Sequence, residues 1–199
     1  MGNLFKRNNE AQTVSPKALY ESKYVAARHN LLLVVAFTTI NLILLVAKSY
    51  TYFLFSAFVP YFLTDLGMWL GGMYPPEAYM GEMEGVAVFG TSFFIATVVI
   101  SVIIIAMYLL SWIFSKKNKS GWLVFSLVLF SIDTVCMFLL GGLSADSIID
   151  VLFHVWVIWY LASGIVACNK LKKLPCDVIE SEGEEIAEET EEEIENTEE

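Results

Sequence analysis

Four long apolar runs, separated by short polar segments, dominate the pattern of this chain. They cover residues 30–50, 86–114, 122–143 and 148–168. A helix needs about 20 mostly apolar residues to cross a bilayer, and each run reaches that length. Because a lipid-exposed segment must satisfy its own backbone hydrogen bonds, each run is predicted to be an α-helix. The pattern therefore predicts an all-α integral membrane protein, a bundle of four transmembrane helices.

The segment 51–85, between the first two runs, is rich in aromatic residues but is interrupted by Pro60, Asp65 and Gly67. A fifth span here would place either the N-terminus or the last two basic clusters outside the cell, against the preference of Lys and Arg for the cytoplasm. With four spans, 11 of the 12 basic residues lie inside, and only Lys48 lies outside. We therefore expect cytoplasmic termini and an outer loop in which 51–72 is an interfacial or re-entrant element.

Composition supports a membrane protein and shows that the charge is segregated. The chain is 56% hydrophobic, with a mean hydropathy of +0.60. The formal net charge of −10 comes from residues 177–199, which hold 13 acidic residues and no basic one; the rest of the chain has 12 bases and 9 acids. Such a segment has too little apolar content to fold alone, so a disordered acidic tail is predicted. It would suit a basic cytosolic partner and disfavours nucleic acid.

These observations divide the chain into three parts. Residues 1–29 are predicted to be a cytoplasmic segment with a short interfacial helix, because Ser15-Pro16 fits an N-cap followed by proline at the first helical position. Residues 30–168 form the transmembrane domain, and 169–199 form the basic exit and the acidic tail. We expect a multi-pass protein of the plasma membrane that contacts lipid, with a homo-oligomer or a partner membrane protein as a further possibility.

A stripe of polar residues inside the apolar runs is the candidate for function. A carboxylate at the centre of a membrane helix costs about 2.5–3.5 kcal/mol, so Asp133 must face the bundle interior, pair or hold a proton. His154 lies across a short turn from Asp133, and Asp150 lies one helical turn from His154. Helical periodicity predicts that these side chains face a shared pocket in the outer half. The predicted pocket consists of Asn41, Lys48, Thr97, Ser101, Asp133, Asp150 and His154.

Two classes of function fit this pattern. The first is binding or transport of a small solute, a cation or protons through the polar pocket, since Asp and His together can hold a cation or exchange a proton. The alternative is a non-catalytic accessory subunit of a larger membrane complex, in which the polar residues bind helices of partner proteins, the outer aromatic loop forms an interface and the acidic tail recruits a cytosolic protein. The sequence has no Walker, HExxH or GxSxG motif. No cofactor or metal site is predicted, and an enzymatic role is not favoured.

Overall fold

The computed structural model describes residues 15–49, 51–80, 85, 88–116, 119–141 and 147–174. Within these ranges the chain is helical and contains no strand. The helices are α1 (Pro16–Val46), α2 (Phe58–Leu70), α3 (Thr91–Phe114), α4 (Ser120–Cys136) and α5 (Ser147–Leu171), with a 3₁₀ turn at Pro76–Tyr79 and a π-helical turn at Met137–Gly141. The predicted acidic tail lies outside the described residues.

Four of these helices are long and apolar enough to cross a membrane, so the chain is a multi-pass membrane protein as the sequence predicts. They are α1, α3, α4 together with its π-helical turn, and most of α5. The chain direction alternates along this series. One end of the bundle therefore holds Pro16 and Leu171, and we call it the terminal end. The other, near Val46 and Thr91, is the loop end.

The first helix starts well before the apolar run that predicted it. The Ser15 hydroxyl accepts a hydrogen bond from the backbone N–H of Ala18 at 3.2 Å, and Pro16 occupies the first turn, as predicted. The 31 residues of α1 continue from there into the membrane without a break. At 1.5 Å per residue the helix is about 46 Å long, against about 30 Å of hydrocarbon. Its first turns therefore extend beyond the apolar layer.

At the terminal end, the spanning helices pack directly against one another. Tyr24 donates a hydrogen bond to the Ser115 carbonyl oxygen, and Arg28 donates to the Ser115 hydroxyl and to the Trp112 carbonyl at 3.0 and 3.2 Å. These contacts join the start of α1 to the end of α3. A Cβ atom built on Gly164 would lie only 2.3 Å from Cβ of Ala27, so α1 and α5 approach each other as closely as a glycine allows.

At the loop end, α2 lies among the spanning helices. It runs antiparallel to α3, and a Cβ atom built on Gly67 would lie 1.9 Å from Oγ1 of Thr97. After α2 the chain turns back, and the Phe89 N–H donates to the Leu70 carbonyl at 2.7 Å, just before α3 begins. This arrangement places the start of α2 inside the bundle rather than at its loop end, and that position determines the site described next.

Candidate functional site: a buried capping network and a cavity at the loop end

The N-terminus of α2 lies inside the bundle, where water cannot satisfy its backbone N–H groups. Asp133 of α4 supplies the acceptors. Its Oδ2 accepts from the Phe58 N–H at 2.9 Å, and its Oδ1 accepts from the Val59 N–H at 2.8 Å. Only 3% of Asp133 is exposed. The first N–H groups of a helix lack partners within that helix, and its N-terminus favours a negative charge. A carboxylate from another helix therefore caps α2.

Two side chains of α1 hold the residues that lead into α2. The Thr38 hydroxyl accepts from the Ala57 N–H at 2.8 Å. Asn41 binds both polar groups of the Phe53 backbone: its Oδ1 accepts from the N–H at 2.8 Å, and its Nδ2 donates to the carbonyl at 2.7 Å. The same Nδ2 donates to the Ser56 hydroxyl at 2.9 Å. Since Thr38 lies eight residues before Val46, α2 starts about 12 Å from the loop end of α1.

His154 of α5 completes the buried cluster. Its Nε2 lies 3.2 Å from Oδ2 of Asp133, and its Nδ1 lies 2.8 Å from the Asp150 carbonyl oxygen. The ring stacks on Phe130 with centroids 5.0 Å apart. Both ring nitrogens face oxygen atoms. A hydrogen on Nδ1 would bond to the Asp150 carbonyl, and the contact of Nε2 with Oδ2 would then need a second proton between these two atoms. We call Thr38, Asn41, Asp133 and His154 the capping network.

On the opposite side of α2, residues of α3 that carry hydroxyl groups contact the helix at several points. Ser101 donates to the Pro60 carbonyl at 2.9 Å, and its oxygen accepts from Thr64 at 3.1 Å. Thr97 donates to the Phe94 carbonyl of its own helix and packs against Gly67. These two residues therefore position α2.

A cavity of about 550 Å³ opens at the loop end, beside the second half of α2. Lys48 and Asp65 provide one basic and one acidic side chain in its lining. Tyr74 links them: its hydroxyl donates to Asp65 Oδ1 at 3.0 Å, while the Lys48 ammonium lies 6.0 Å from its ring centroid. The Lys48 Nζ also donates to the Met73 carbonyl at 2.8 Å. The cavity lining consists of Leu45, Lys48, Ser49, Thr51, Tyr52, Tyr61, Asp65, Tyr74 and Pro75.

Burial determines the protonation of the cavity groups. It raises the pKa of Asp65 above its ordinary value, and the hydrogen bond from Tyr74 opposes part of that shift. Burial also raises the pKa of Tyr52 to about 12, so its hydroxyl keeps its proton at neutral pH. The rings of Tyr52 and Tyr61 meet edge to face with centroids 5.1 Å apart. The cavity therefore combines aromatic rings with a carboxylate that protonates more readily than a solvent-exposed one.

Two connections join the cavity to the capping network. Tyr52 lines the cavity and lies 2.9 Å from the Ser56 hydroxyl, which accepts from Asn41. Helix α2 is the second connection, because it carries Asp65 in the cavity wall two turns after the residue that Asp133 caps. A displacement of the start of α2 would therefore move one wall of the cavity.

The predicted pocket residues are divided between these features. Asp133 and His154 meet directly, Asn41 lies in the same network, and Asp150 contributes its backbone carbonyl to His154. Thr97 and Ser101 are at the contact between α2 and α3. Lys48 lies in the loop-end cavity instead. Sequence reasoning missed four further cavity residues, whose clustering of rings and one acid around an outer loop was the available signal: Tyr52, Tyr61, Asp65 and Tyr74.

No protein-family model matches this chain, and neither a curated protein nor a solved structure is significantly similar to it. Among the described residues, no three His, Cys, Asp or Glu side chains come together in a way that could hold a metal ion. The functional argument therefore depends on the geometry of the loop-end cavity and of the capping network.

Proposed function

We propose that this multi-pass membrane protein binds a small solute carrying both an ammonium group and an anionic group in its loop-end cavity. The observation that supports this most is the pairing of one carboxylate, Asp65, and one ammonium, Lys48, in a cavity lined by tyrosine rings. From the distribution of Lys and Arg we infer that this cavity faces the outside of a cell membrane.

Each cavity group has a role in this proposal. Asp65 accepts hydrogen bonds from the ammonium group of the solute, a charge-assisted contact stronger than a neutral one. The faces of Tyr52 and Tyr61 attract the same cation, because aromatic rings carry negative charge on their faces. Lys48 meets the anionic group. A solute with both charges leaves neither side chain of the cavity unpaired, whereas a simple cation would be repelled by Lys48.

We further propose that proton binding at Asp133 and His154 is linked to binding in the cavity. The proton between Nε2 and Oδ2 determines how much negative charge faces the start of α2. Since α2 also carries Asp65, a change in its position alters the cavity wall. Solute and proton would then affect each other's binding reciprocally, as thermodynamic linkage requires. The pocket residues predicted from sequence thus have two roles, in the cavity and in its support.

The alternative function is that of an accessory subunit in a larger membrane complex. Contacts inside this chain give the polar stripe a structural role and leave the outer loop and the acidic tail as the surfaces for a partner: Thr38, Asn41, Ser101 and Asp133 all bind groups in 53–60. Residues that only stabilise the fold need no solute. The same contacts are also what a rigid binding cavity needs, so a direct binding experiment separates the two hypotheses.

The binding test uses the full chain in detergent and isothermal titration calorimetry at pH 7. β-Alanine, propylamine and propionate serve as a zwitterion, a cation and an anion of similar size, and the first two carry a primary ammonium group that can donate to Asp65. We expect β-alanine to bind most tightly, Asp65→Asn to weaken its binding about tenfold by removing a charged hydrogen-bond acceptor, and Lys48→Gln to weaken it less. A reference variant, Thr51→Val, keeps the cavity charges. Equal responses to all three probes, or to all variants, would refute the proposal.

A further inference from the structure

A groove at the terminal end of the bundle, between α1 and α5, is separate from the loop-end cavity. It encloses about 310 Å³ and is lined by residues of both helices: Tyr20, Lys23, Trp159, Ala162, Ser163, Val166, Ala167 and Lys170. The small side chains of α5 in this lining leave space beside the close contact of Ala27 and Gly164. We call this feature the lysine groove.

The groove is basic at one end and apolar at the other. Lys23 and Lys170 are exposed, and the Lys170 ammonium lies 5.3 Å from the ring centroid of Tyr20. Toward the bundle centre the lining changes to Val166 and to Trp159, whose surface is 71% exposed. Lys170 and Trp159 are eleven residues apart on one helix, so the groove spans about 16 Å along the membrane normal. Its ligand must therefore be amphipathic.

The position of the lysine groove in the membrane indicates which kind of ligand its charges suit. Helix α1 extends beyond the apolar layer at this end, so Tyr20 and Lys23 lie in the headgroup region. Basic pockets between transmembrane helices are a recurrent way of holding anionic lipid headgroups. Tyrosine is enriched at this depth, where Tyr20 lies, because one part of its ring lies in an apolar environment and the other in water.

We propose that the lysine groove binds one anionic glycerophospholipid, with its phosphate between Lys23 and Lys170 and an acyl chain along Val166, Ser163 and Trp159. The acidic segment 177–199 is a less suitable occupant. It could neutralise the lysines, but only five of its 23 residues are apolar, against 13 acidic ones, so it would cover the exposed Trp159 less well than an acyl chain. A lipid matches both ends of the groove. This site does not depend on the loop-end cavity or on its proposed solute.

The experiment compares lipid retention by native mass spectrometry of the full chain, released from nanodiscs containing equal amounts of phosphatidylglycerol and phosphatidylcholine. Wild type is expected to retain phosphatidylglycerol preferentially. If each lysine that contacts the bound phosphate contributes about fivefold, Lys23→Gln with Lys170→Gln should lower its retention about thirtyfold. Lys116→Gln with Lys119→Gln is the matched control, because it removes the same charge at the same end from lysines that do not line the groove; retention of the bound lipid should then fall less than about threefold.

A second variant tests the apolar part of the groove without changing charge. Ser163→Leu fills the path of the acyl chain and should also lower phosphatidylglycerol retention, while circular dichroism shows an unchanged helix content. Equal retention of both lipids by wild type, or equal losses in the two double-lysine variants, would overturn the proposal. Displacement of the lipid by millimolar glycerol 3-phosphate would indicate a free phosphate site. Carbodiimide crosslinking of Lys23 or Lys170 to 177–199, undiminished by phosphatidylglycerol, would indicate the acidic tail; either result overturns it.

Discussion

The helices of this bundle pack against one another differently at its two ends. At the terminal end, spanning helices contact each other directly, and Ala27 and Gly164 allow the closest approach. At the loop end, α2 separates the spanning helices and begins in their midst. Its backbone N–H groups need partners, and polar side chains such as Thr38 and Asp133 provide them.

This difference explains why the polar side chains that accept from otherwise unpaired backbone N–H groups lie at the loop end, around the start of α2. At the terminal end the backbone of each spanning helix is already hydrogen-bonded, and buried Ser111 and Ser126 donate only to carbonyls of their own helices. A helix that begins in the apolar interior leaves N–H groups that cost several kcal/mol each when unpaired. The two halves should therefore respond differently to substitution: the loop half by loss of hydrogen bonds, and the terminal half by loss of fit.

The largest effect is expected from Asp133→Ala. Removal of the carboxylate leaves the Phe58 and Val59 N–H groups buried without an acceptor and deprives His154 of its partner. We expect the free energy of unfolding to fall by about 3–5 kcal/mol, the range for breaking a buried charged contact. Denaturant titration in detergent, followed by tryptophan fluorescence, measures this loss.

Two further variants test the cause of that effect. Asp133→Asn keeps one acceptor but turns an amide toward the second N–H, so about half of the loss should remain. Ser131→Ala, on the same helix, removes only a hydroxyl that donates to the Leu127 carbonyl. It should change stability by less than about 0.5 kcal/mol. If Asp133→Ala were as mild as Ser131→Ala, the capping role would be wrong.

The stability of the terminal half should depend on how closely α1 and α5 fit together. Gly164→Ala forces a Cβ atom to within 2.3 Å of Ala27 Cβ, and overpacking of this kind costs about 1–3 kcal/mol. Adding Ala27→Gly exchanges the two residues, so the helix propensities of the pair cancel and the contact is restored. We expect thermal unfolding to show a loss in the single variant and recovery in the exchanged pair. An exchanged pair as unstable as Gly164→Ala would contradict the close approach of α1 and α5.

The smallest effect concerns pH at the cavity. Burial raises the pKa of Asp65 above 3.8, so the folded state binds this proton more tightly than the unfolded state. The associated stability is present below pH 3.8 and is lost as pH rises through the raised pKa. Asp65→Asn should therefore match wild type in acid and be more stable at pH 7. Solvent screening limits the gain to below about 1 kcal/mol. If wild type were as stable as the variant at pH 7, or more stable, the prediction would be wrong.

The sequence predicted the helices that depend on apolar runs, and the proximity of Asp133 to His154. Hydropathy identifies spans because the bilayer demands length and composition alone. Helical periodicity and a short turn were enough to bring Asp133 toward His154. The sequence predicted only a shared pocket, and the observed distance of 3.2 Å between Nε2 and Oδ2 shows that the two side chains are in direct contact. The π-helical turn that follows α4 changes the rise between them, and no sequence pattern indicates it.

The sequence could not predict the capping of α2 by Asp133. Local caps are recognisable because the capping residue precedes its helix by a fixed spacing, as Ser15 does. Asp133 caps a helix that begins 75 residues earlier in the chain, so no spacing rule applies. For the segment 51–72 the sequence therefore predicts either an interfacial or a re-entrant element, without distinguishing the two. The placement of Lys48 beside Asp65 also depends on the path of that segment.

The most direct test of the central claim is hydrogen exchange at the start of α2. In nanodiscs at pH 7, amide exchange of a peptide covering 53–60 is compared between wild type, Asp133→Asn and Ser131→Ala. The structure predicts slow exchange in wild type and Ser131→Ala, and exchange at least tenfold faster in Asp133→Asn, while a peptide covering 27–34 at the terminal end stays protected in all three. Unchanged protection of 53–60 in Asp133→Asn would contradict the claim that this carboxylate holds α2 in place.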